Sequence, residues 1–372
     1  MSSLVRVAVA MSGGVDSSVA AALLVEQGYE VIGLTMQLWP DVGEEVARRH
    51  GGCCSVEAVS DARRVADRLG IAYYVLNFQE VFEARVIRPF IGEYARGRTP
   101  NPCLDCNRHV KFAELLERAT ALEADYLATG HYARVERDPG RGRWLLRKGV
   151  DARKDQSYAL YGLTQGQLSR TLLPLGGLSK QEVRKIAQAR GLPVAGKEES
   201  QEICFVVEGD YRSFLADRIP GAIHPGPIVD LDGRRLGTHR GLPFYTVGQR
   251  QGLGIATGAP LYVVRLDPGT NTVVVGGAAD VYARGLVARN PNWIAVEELS
   301  TSTPARVKIR YGAPEVDAVL FPAGDGEVRL NFAHPQRAVT PGQAVVFYQD
   351  DLVLGGAVIE APLHDSGSGG EC

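Results

Sequence analysis

Two groups of residues in this chain have the types and spacing to do chemistry. The first, Ser12-Gly13-Gly14-Val15-Asp16-Ser17-Ser18, lies between a β-branched run from Val5 to Ala10 and an Ala-rich helical stretch from Ser17 to Gln27. Its glycines let a backbone approach phosphate oxygens with no Cβ in the way. Amide groups at the helix start face the anion, and Ser12, Ser17 and Ser18 add hydroxyl donors. Asp16 repels phosphate, so its role is either linked to Mg2+ or to bracing the loop. The plainer reading, a strand-to-helix turn capped by Ser and Asp, would suit a lone Gly-Gly; the complete motif at this position favours a nucleotide loop. It is neither a Walker loop, which needs GK[ST], nor a dinucleotide GxGxxG turn.

The second group is the cysteines, at positions 53, 54, 103, 106, 204 and 372. They are too sparse for a disulfide framework in a chain of this length, which turns attention to nucleophile, redox or metal roles. Cys103-Leu104-Asp105-Cys106 follows Thr99-Pro100-Asn101-Pro102, and the prolines predict an extended loop before a helix starting near His109. Cys106 then lies near a helix N-terminus beside Arg108, His109 and Lys111, a setting that lowers a thiol pKa from about 8.5 and raises the nucleophilic thiolate fraction. A structural zinc site would need a second CxxC, which is missing. Cys204, in Ser200-Gln201-Glu202-Ile203-Cys204-Phe205, would on its own be read as an inert thiol. Cys53 and Cys54 follow Gly51-Gly52 and read as ordinary loop residues, while Cys372 ends a Ser/Gly-rich tail.

The elements that must position these groups change character along the chain. Over the first 200 or so residues strands alternate with helices: strands at Val31 to Met36, Ile71 to Asn77 and Tyr126 to Thr129, helices at Val56 to Leu69, Gln79 to Tyr94 and Val110 to Leu122. This alternation implies a mainly parallel sheet with ligands beyond the carboxyl ends of its strands. Ser179 and Glu182 form a capping box opening a helix through Ala189. Beyond residue 207, Gly and Pro become frequent and short β-branched runs follow one another, from Leu261 to Leu266, Thr272 to Val275, Ala305 to Tyr311, Val316 to Phe321, Val328 to Phe332, Ala344 to Tyr348 and Leu352 to Ile359. Asp232-Gly233 signals a hairpin, and the later runs suit a small antiparallel barrel.

Composition sets the frame. The 372 residues predict two or three domains at roughly 150 residues each. With 45% apolar and 23% charged residues the chain is neither disordered nor fibrous. A formal net charge of -2 advertises no global affinity for nucleic acid. Locally, Arg134, Arg137, Arg141, Arg143, Arg147, Lys148, Arg153 and Lys154 stand against Glu136, Asp138 and Asp151, a net of +5 that could follow a phosphate backbone. No signal peptide or membrane-length apolar run is present, so the expectation is a cytoplasmic chain with no membrane partner.

The SGGVDS loop resembles the signature of the PP-loop ATP pyrophosphatases, which cleave ATP between the α and β phosphates. TPNPCLDCNRHVKF, Gly130 to Val135 (GHYARV), Lys154-Asp155-Gln156-Ser157-Tyr158, SQEICF, Tyr245 to Gly254 (YTVGQRQGLG), Lys308 to Tyr311 and Pro341 to Tyr348 (PGQAVVFY) together resemble the tRNA-specific 2-thiouridylase family through nearly the whole chain. The resemblance implies an α/β parallel-sheet PP-loop (adenine nucleotide alpha hydrolase-like) domain over 1–206. After it come a small central mostly-β domain over 207–283, a C-terminal antiparallel β-barrel over 284–362 that binds RNA, and a disordered tail over 363–372. It implies thiolation at C2 of the wobble uridine, position 34. ATP with Mg2+ would be held by Ala10, Met11, Ser12, Gly13, Gly14, Val15, Asp16 and Ser17, bordered by Met36 and Gly130, and would adenylate the uridine O2. Cys204 would carry a persulfide and Cys106 act as nucleophile. RNA contacts are implied at Asn101, Pro102, Cys103, His131, Lys154, Asp155, Gln156, Arg310, Tyr311 and Gln343. The implied partners are tRNA, of the Lys, Glu and Gln isoacceptors, and a sulfur-relay protein or cysteine desulfurase.

One departure keeps a mechanistic alternative open: many members of the family carry Asp where this chain has Cys103. Cys103, Cys106 and Cys204 could hold three irons of a [4Fe–4S] cluster whose fourth iron binds hydrosulfide. Two other function classes compete. A synthetase or amidotransferase adenylating a small carboxylate would need the phosphate loop but neither paired cysteines nor an RNA-binding barrel, and a non-enzymatic iron–sulfur or nucleotide-sensing RNA-binding module would release no pyrophosphate.

Overall fold

The computed structural model describes residues 4–38, 56–198, 203–206, 210–255, 258–324 and 326–364. Cys53, Cys54, Ser200 to Glu202 and Cys372 lie outside them. The chain divides into two compact units, Met1–Ile87 with Pro102–Asp210 and Asp351–Val353, and Arg88–Asn101 with Tyr211–Asp350 and Leu354–Cys372.

In the first unit β1 (Arg6–Ala10) is followed by α1 (Val15–Glu26), β2 (Glu30–Gln37), α2 (Val56–Leu69) and β3 (Ala72–Asn77). Then α3 (Gln79–Phe82) runs through a wide π-helical stretch, Glu83–Ile87, into α4 (Arg88–Ala95), where the second unit begins. The first unit resumes with α5 (Pro102–Asp105), a second π-helical stretch Cys106–Leu115, α6 (Leu116–Ala121), β4 (Tyr126–Ala128) and a hairpin of β5 (Ala133–Asp138) and β6 (Arg143–Lys148). It ends with α7 (Ser157–Leu160), α8 (Gln165–Leu168), β7 (Thr171–Leu172) and α9 (Lys180–Ala189).

The sheet order is β3-β2-β1-β4-β7 with every pairing parallel. Central β1 is covered on both faces: Val7, Ala8 and Val9 are fully buried, which is why it reads as an unbroken apolar run. Val15, Val19 and Ala20 of α1, Ala62 and Val65 of α2, and Val183 and Ala187 of α9 share one core with Val7, Val9 and Val31. Strand order reverses between β1 and β4, so the turn after β1 and the turn after β4 open the crevice where ligands of such sheets bind.

One expectation is corrected. The helix near the cysteine pair begins at Pro102, well before His109, because proline's missing N–H costs nothing at a first helical position. Cys103 therefore lies in the first helical turn and Cys106 opens the π-helical stretch. The hairpin of β5 and β6 is additional: it occupies most of the basic stretch, pairing Arg134 with Arg147 and Asp138 with Arg143.

The second unit holds α10 (Tyr211–Arg218) and a sheet in the order β10-β11-β8-β9, made of β8 (Gly226–Val229), β9 (Arg235–His239), β10 (Tyr262–Asp267) and β11 (Thr272–Gly276). The turn between β8 and β9 contains Asp232-Gly233 with Gly233 at φ +84°, as the hairpin signal required. The remaining strands are β12 (Tyr282–Trp293), β13 (Thr303–Lys308), β14 (Val316–Pro322), β15 (Glu327–Arg337), β16 (Ala344–Gln349) and β17 (Leu352–Leu363). They run β12-β15-β14-β13-β16-β17, and β12 also pairs with β17, closing an antiparallel barrel. Closure removes the exposed sheet edge. Among the described residues no helix is long and apolar enough to cross a membrane.

Candidate nucleotide and thiol site

The phosphate loop is built by contacts that only its own residue types allow. Gly13 has φ +67°, and a Cβ there would lie 2.2 Å from the Ala58 carbonyl oxygen, so no larger residue fits. The Ser17 hydroxyl accepts from Ser12 N–H at 3.2 Å and donates to the Gly14 carbonyl at 3.2 Å; the Ser18 hydroxyl donates to that carbonyl at 2.8 Å. Ser12 and Ser17 hydroxyls lie 3.3 Å apart. Upstream, Thr35 donates to the Met11 carbonyl at 2.7 Å and Tyr73 to Thr35 at 2.8 Å, tying the end of β1 to β2 and β3. Gly130, after β4, presses on the loop: a Cβ there would be 2.7 Å from Ser17 N. Ala10 ends β1, Met11 and Val15 are buried, and Met36 is buried in β2.

Asp16 is braced by two residues that the sequence did not single out. Lys180 donates from its ammonium to both carboxylate oxygens, at 2.7 and 2.8 Å, and the Tyr132 hydroxyl donates to Oδ1 at 2.7 Å. The Lys180 ammonium also lies 5.9 Å from the Tyr132 ring centroid. Lys180 is the first residue of α9, whose capping box at Ser179 and Glu182 is present as expected. Its backbone N–H donates to Asp151 at 3.0 Å, a bond that with burial opposing holds this carboxyl below its ordinary range. The available signal was a lysine at a helix N-terminus, where the macrodipole disfavours a cation.

From Tyr132 the hydrogen bonding continues into the Lys154-Asp155-Gln156 turn. Tyr132 N–H donates to Gln156 Oε1 at 3.0 Å, and Gln156 N–H donates to the Tyr132 carbonyl at 2.9 Å. Asp155 accepts from Gly149 N–H, Ser157 N–H and the Ser157 hydroxyl at 3.1, 3.1 and 2.9 Å. Lys154 donates its N–H to Asp151 O. This turn opens α7, and the Ala159 carbonyl of α7 accepts from the buried Asn107 amide at 3.0 Å, one residue after Cys106. A continuous bonded path therefore runs from the phosphate loop to the helix that carries Cys106.

Cys103 is exposed, while Cys106 and Cys204 are half-buried, and none of the three is in a disulfide. The Cys106–Leu115 stretch packs against α3 and Glu83–Ile87, and Phe82 of α3 meets Phe205 edge-on at 5.8 Å. Both thiol-bearing segments of this unit thus rest on one helical run. Burial, then Arg108 and Arg85, push His109 below its ordinary pKa. His131 bonds Thr129 through Nδ1 at 2.7 Å and lies 5.8 Å from the Phe112 ring. Part of its surface is open, yet its ring is crowded by protein. Burial, with Lys111 adding to it, lowers its pKa well below the ordinary value. The imidazole is therefore neutral near pH 7.

Among the described residues no three His, Cys, Asp or Glu side chains gather to hold a metal ion. Three arginines of the basic stretch form ion pairs on the hairpin. Arg147 pairs with Glu136 and Asp351 at 2.5 and 2.6 Å, Arg134 with Asp351 at 2.7 Å and Arg141 with Asp138 at 3.4 Å. In the second unit Arg310 and Tyr311 are exposed beyond β13, and Asn101 and Gln343 are half-buried.

Comparison with known proteins covers nearly the whole chain. Residues 5–208 match the family model described as tRNA methyl transferase HUP domain, 212–277 its PRC-barrel domain, and 283–359 the aminomethyltransferase beta-barrel domain. The chain is 56% identical over 359 residues to tRNA-specific 2-thiouridylase MnmA 2 of Caldanaerobacter subterraneus subsp. tengcongensis, covering 96% of this chain and 99% of that one. It is 59% identical over 355 residues to the MnmA enzyme of Moorella thermoacetica, covering 95% and 99%. To that of Carboxydothermus hydrogenoformans it is 55% identical over 358 residues, covering 96% and 98%.

Proposed function

The chain belongs to the tRNA-specific 2-thiouridylase family and is a tRNA-uridine sulfurtransferase, and from that premise we propose that it thiolates C2 of the wobble uridine through an adenylated intermediate. The observation that carries this reading is the presence, in one unit, of a phosphate loop braced at Asp16 and of Cys106 and Cys204 on segments supported by one helical run. The family models carry a methyltransferase label, but a methyl transfer would require neither a pyrophosphatase-type loop nor paired thiols.

In the proposed reaction the uridine O2 attacks the α phosphorus of ATP bound at residues 10–17, and pyrophosphate leaves. The loop's amides and hydroxyls hold the phosphates and Asp16, bonded on both oxygens by Lys180, braces the loop, while Mg2+ accompanying ATP would neutralise the leaving group. Adenylation turns O2 into a good leaving group. Cys204 receives a sulfane sulfur from a persulfide donor. The Cys106 thiolate attacks Cys204 Sγ, the S–S bond to the terminal sulfur breaks, and hydrosulfide leaves as a Cys106–Cys204 disulfide forms. The two thiols supply the two electrons that reduce the sulfane sulfur. Hydrosulfide displaces AMP at C2, and an external dithiol restores the cysteines. No step is routed through a cluster.

The RNA surface comprises Asn101 to Cys103, His131, Lys154 to Gln156, Arg310, Tyr311 and Gln343, with tRNAs for Lys, Glu and Gln as substrates. We assign the chemistry to 1–206, with 207–283 and 284–362 as the domains that complete RNA binding. The test supplies ATP, unmodified tRNA and a persulfide donor, and reads pyrophosphate and 2-thiouridine by nucleoside mass spectrometry. Cys106→Ser and Cys204→Ser should each abolish thiolation while Cys54→Ser does not. Wild-type thiolation in either of the first two removes the thiol relay.

A further inference from the structure

Asn107 follows Cys106 in the π-helical stretch and is only 3% exposed. Its Nδ2 donates to the Ala159 carbonyl of α7 at 3.0 Å, while its Oδ1 is buried and, among the described residues, has no hydrogen-bond partner. Burying an acceptor without a donor costs stability, and an aliphatic side chain of similar size would fill the space without that cost. The amide is therefore explained by what its nitrogen holds.

A second bond secures the next residue. Gln167 of α8 donates from Nε2 to the Arg108 carbonyl at 3.3 Å, and Gly162, between α7 and α8, leaves room for the Arg108 stem: a Cβ there would be 3.3 Å from Arg108 Cδ. Gln167 is itself fixed, since its Oε1 accepts from Thr164 N–H at 2.9 Å in the capping box that opens α8. Cys106, Asn107 and Arg108 form the opening turn of the π-helical stretch, a rare geometry that recurs at functional sites. All of these residues belong to the first unit, as does Cys204.

We propose that Asn107 and Gln167 are positioning residues for sulfur release, holding this turn so that Cys106 Sγ meets the persulfide on Cys204, a reading that rests on the sulfurtransferase assignment above. In that step the Cys106–Cys204 bond forms, the bond to the terminal sulfur breaks and hydrosulfide leaves with the electron pair. Attack on a sulfur along the bond that breaks depends on direction, and misplacement by about 1 Å can cost on the order of a hundredfold. Adenylation at the phosphate loop makes no use of Cys106, so loosening the turn should slow sulfur transfer and leave adenylation unchanged.

The test loads Cys204 of the full chain from a persulfide donor, removes the donor, and adds saturating ATP with unmodified tRNA over a range of concentrations. It follows the pyrophosphate burst and 2-thiouridine in a single turnover, normalised to the persulfide carried at the start, alongside the thermal midpoint. Asn107→Leu removes the amide donor and the unpaired acceptor together and takes the amide from the Ala159 carbonyl, so one unpaired acceptor replaces another and the midpoint should stay near the wild-type value. Gln167→Glu keeps the acceptor for Thr164 and loses only the donor to Arg108. Asn107→Leu should slow 2-thiouridine formation by about tenfold or more and Gln167→Glu by less, each with an unchanged pyrophosphate burst. Equal loss of both products makes Asn107 a support of the whole unit, and a deficit that more tRNA erases makes it a support of the turn before α7; either overturns the proposal. Wild-type thiolation in Asn107→Leu overturns it equally. If Asn107→Leu does not fold, Gln167→Glu decides by the same two rates. A wild-type chain that makes no 2-thiouridine overturns the assignment itself, and this proposal with it.

Discussion

Lys180 carries a charge in a place that a helix does not favour, and the reason lies in Asp16. A cation at the first position of α9 opposes the helix dipole, and burying its ammonium adds a desolvation cost. Both are offset by the two oxygens of Asp16 at 2.7 and 2.8 Å and by the Tyr132 ring below. The pair also keeps the one carboxylate of the loop from repelling incoming phosphates. Lys180→Ala should therefore lower kcat/KM for ATP by about tenfold to a hundredfold, roughly 1.4–2.7 kcal/mol, without changing tRNA affinity. Tyr132→Phe, which loses one hydrogen bond to a charged group, should lose less. Pyrophosphate release against ATP concentration measures both, and an unaltered response in Lys180→Ala would remove the bracing role. SGGVDS was legible because its residues are contiguous. Lys180 was not, because it reaches Asp16 from 164 positions away.

The same dependence can be followed through the element that delivers Lys180. The box at the start of α9 satisfies two backbone donors: Ser179 Oγ accepts from Glu182 N–H at 3.3 Å, and Glu182 accepts from Ser179 N–H at 2.7 Å. A second box, Thr164 with Gln167, opens α8. Ser179→Ala and Thr164→Ala should each cost about 1 kcal/mol of stability, read from denaturant midpoints, yet only Ser179→Ala should raise KM for ATP. Equal ATP responses in the two variants would separate the cap from the loop. Elements were legible where one physical signal dominated: the buried apolar strands β1 and β2, the amphipathic α2, the cap of α9. The long strand β12, carrying Arg284, Arg289, Asn290, Pro291 and Asn292, lacks the β-branched signature and gains its stability from partners on both sides. The start of α5 was obscured because Pro102 reads equally as a loop residue and as a first helical residue.

At the scale of the whole molecule, charge is less informative as a total than by placement. The net of -2 concealed a basic hairpin, three of whose arginines, Arg134, Arg141 and Arg147, pair with Glu136, Asp138 and Asp351. Histidine placement sets how the chain responds to mild acid. His109 and His131 of the first unit and His239 of the second are all held below their ordinary pKa, chiefly by burial. His239 shows why: Gly241 N–H donates to its Nδ1 at 3.1 Å, so Nε2 must carry the proton that bonds the Asn271 carbonyl at 2.9 Å. A second proton would have to displace the Gly241 donor. In the unfolded chain each of these imidazoles takes up a proton near pH 6.5, whereas the folded chain resists it. The unfolded state then binds more protons, and stability falls as pH drops through about 6.5 and is fully present above it. Acid-sensitive carboxylates such as Asp351 and Glu26, whose folded pKa is lowered, lose their contribution only below their unfolded values near pH 4. Thermal midpoints should therefore decline between pH 7.5 and 5.5 for a reason seated in histidine. His131→Gln and His239→Gln should each flatten that decline, one through the first unit and the other through the second, whatever each costs at pH 7.5. A decline of unchanged slope in both variants would place the acid sensitivity in other groups.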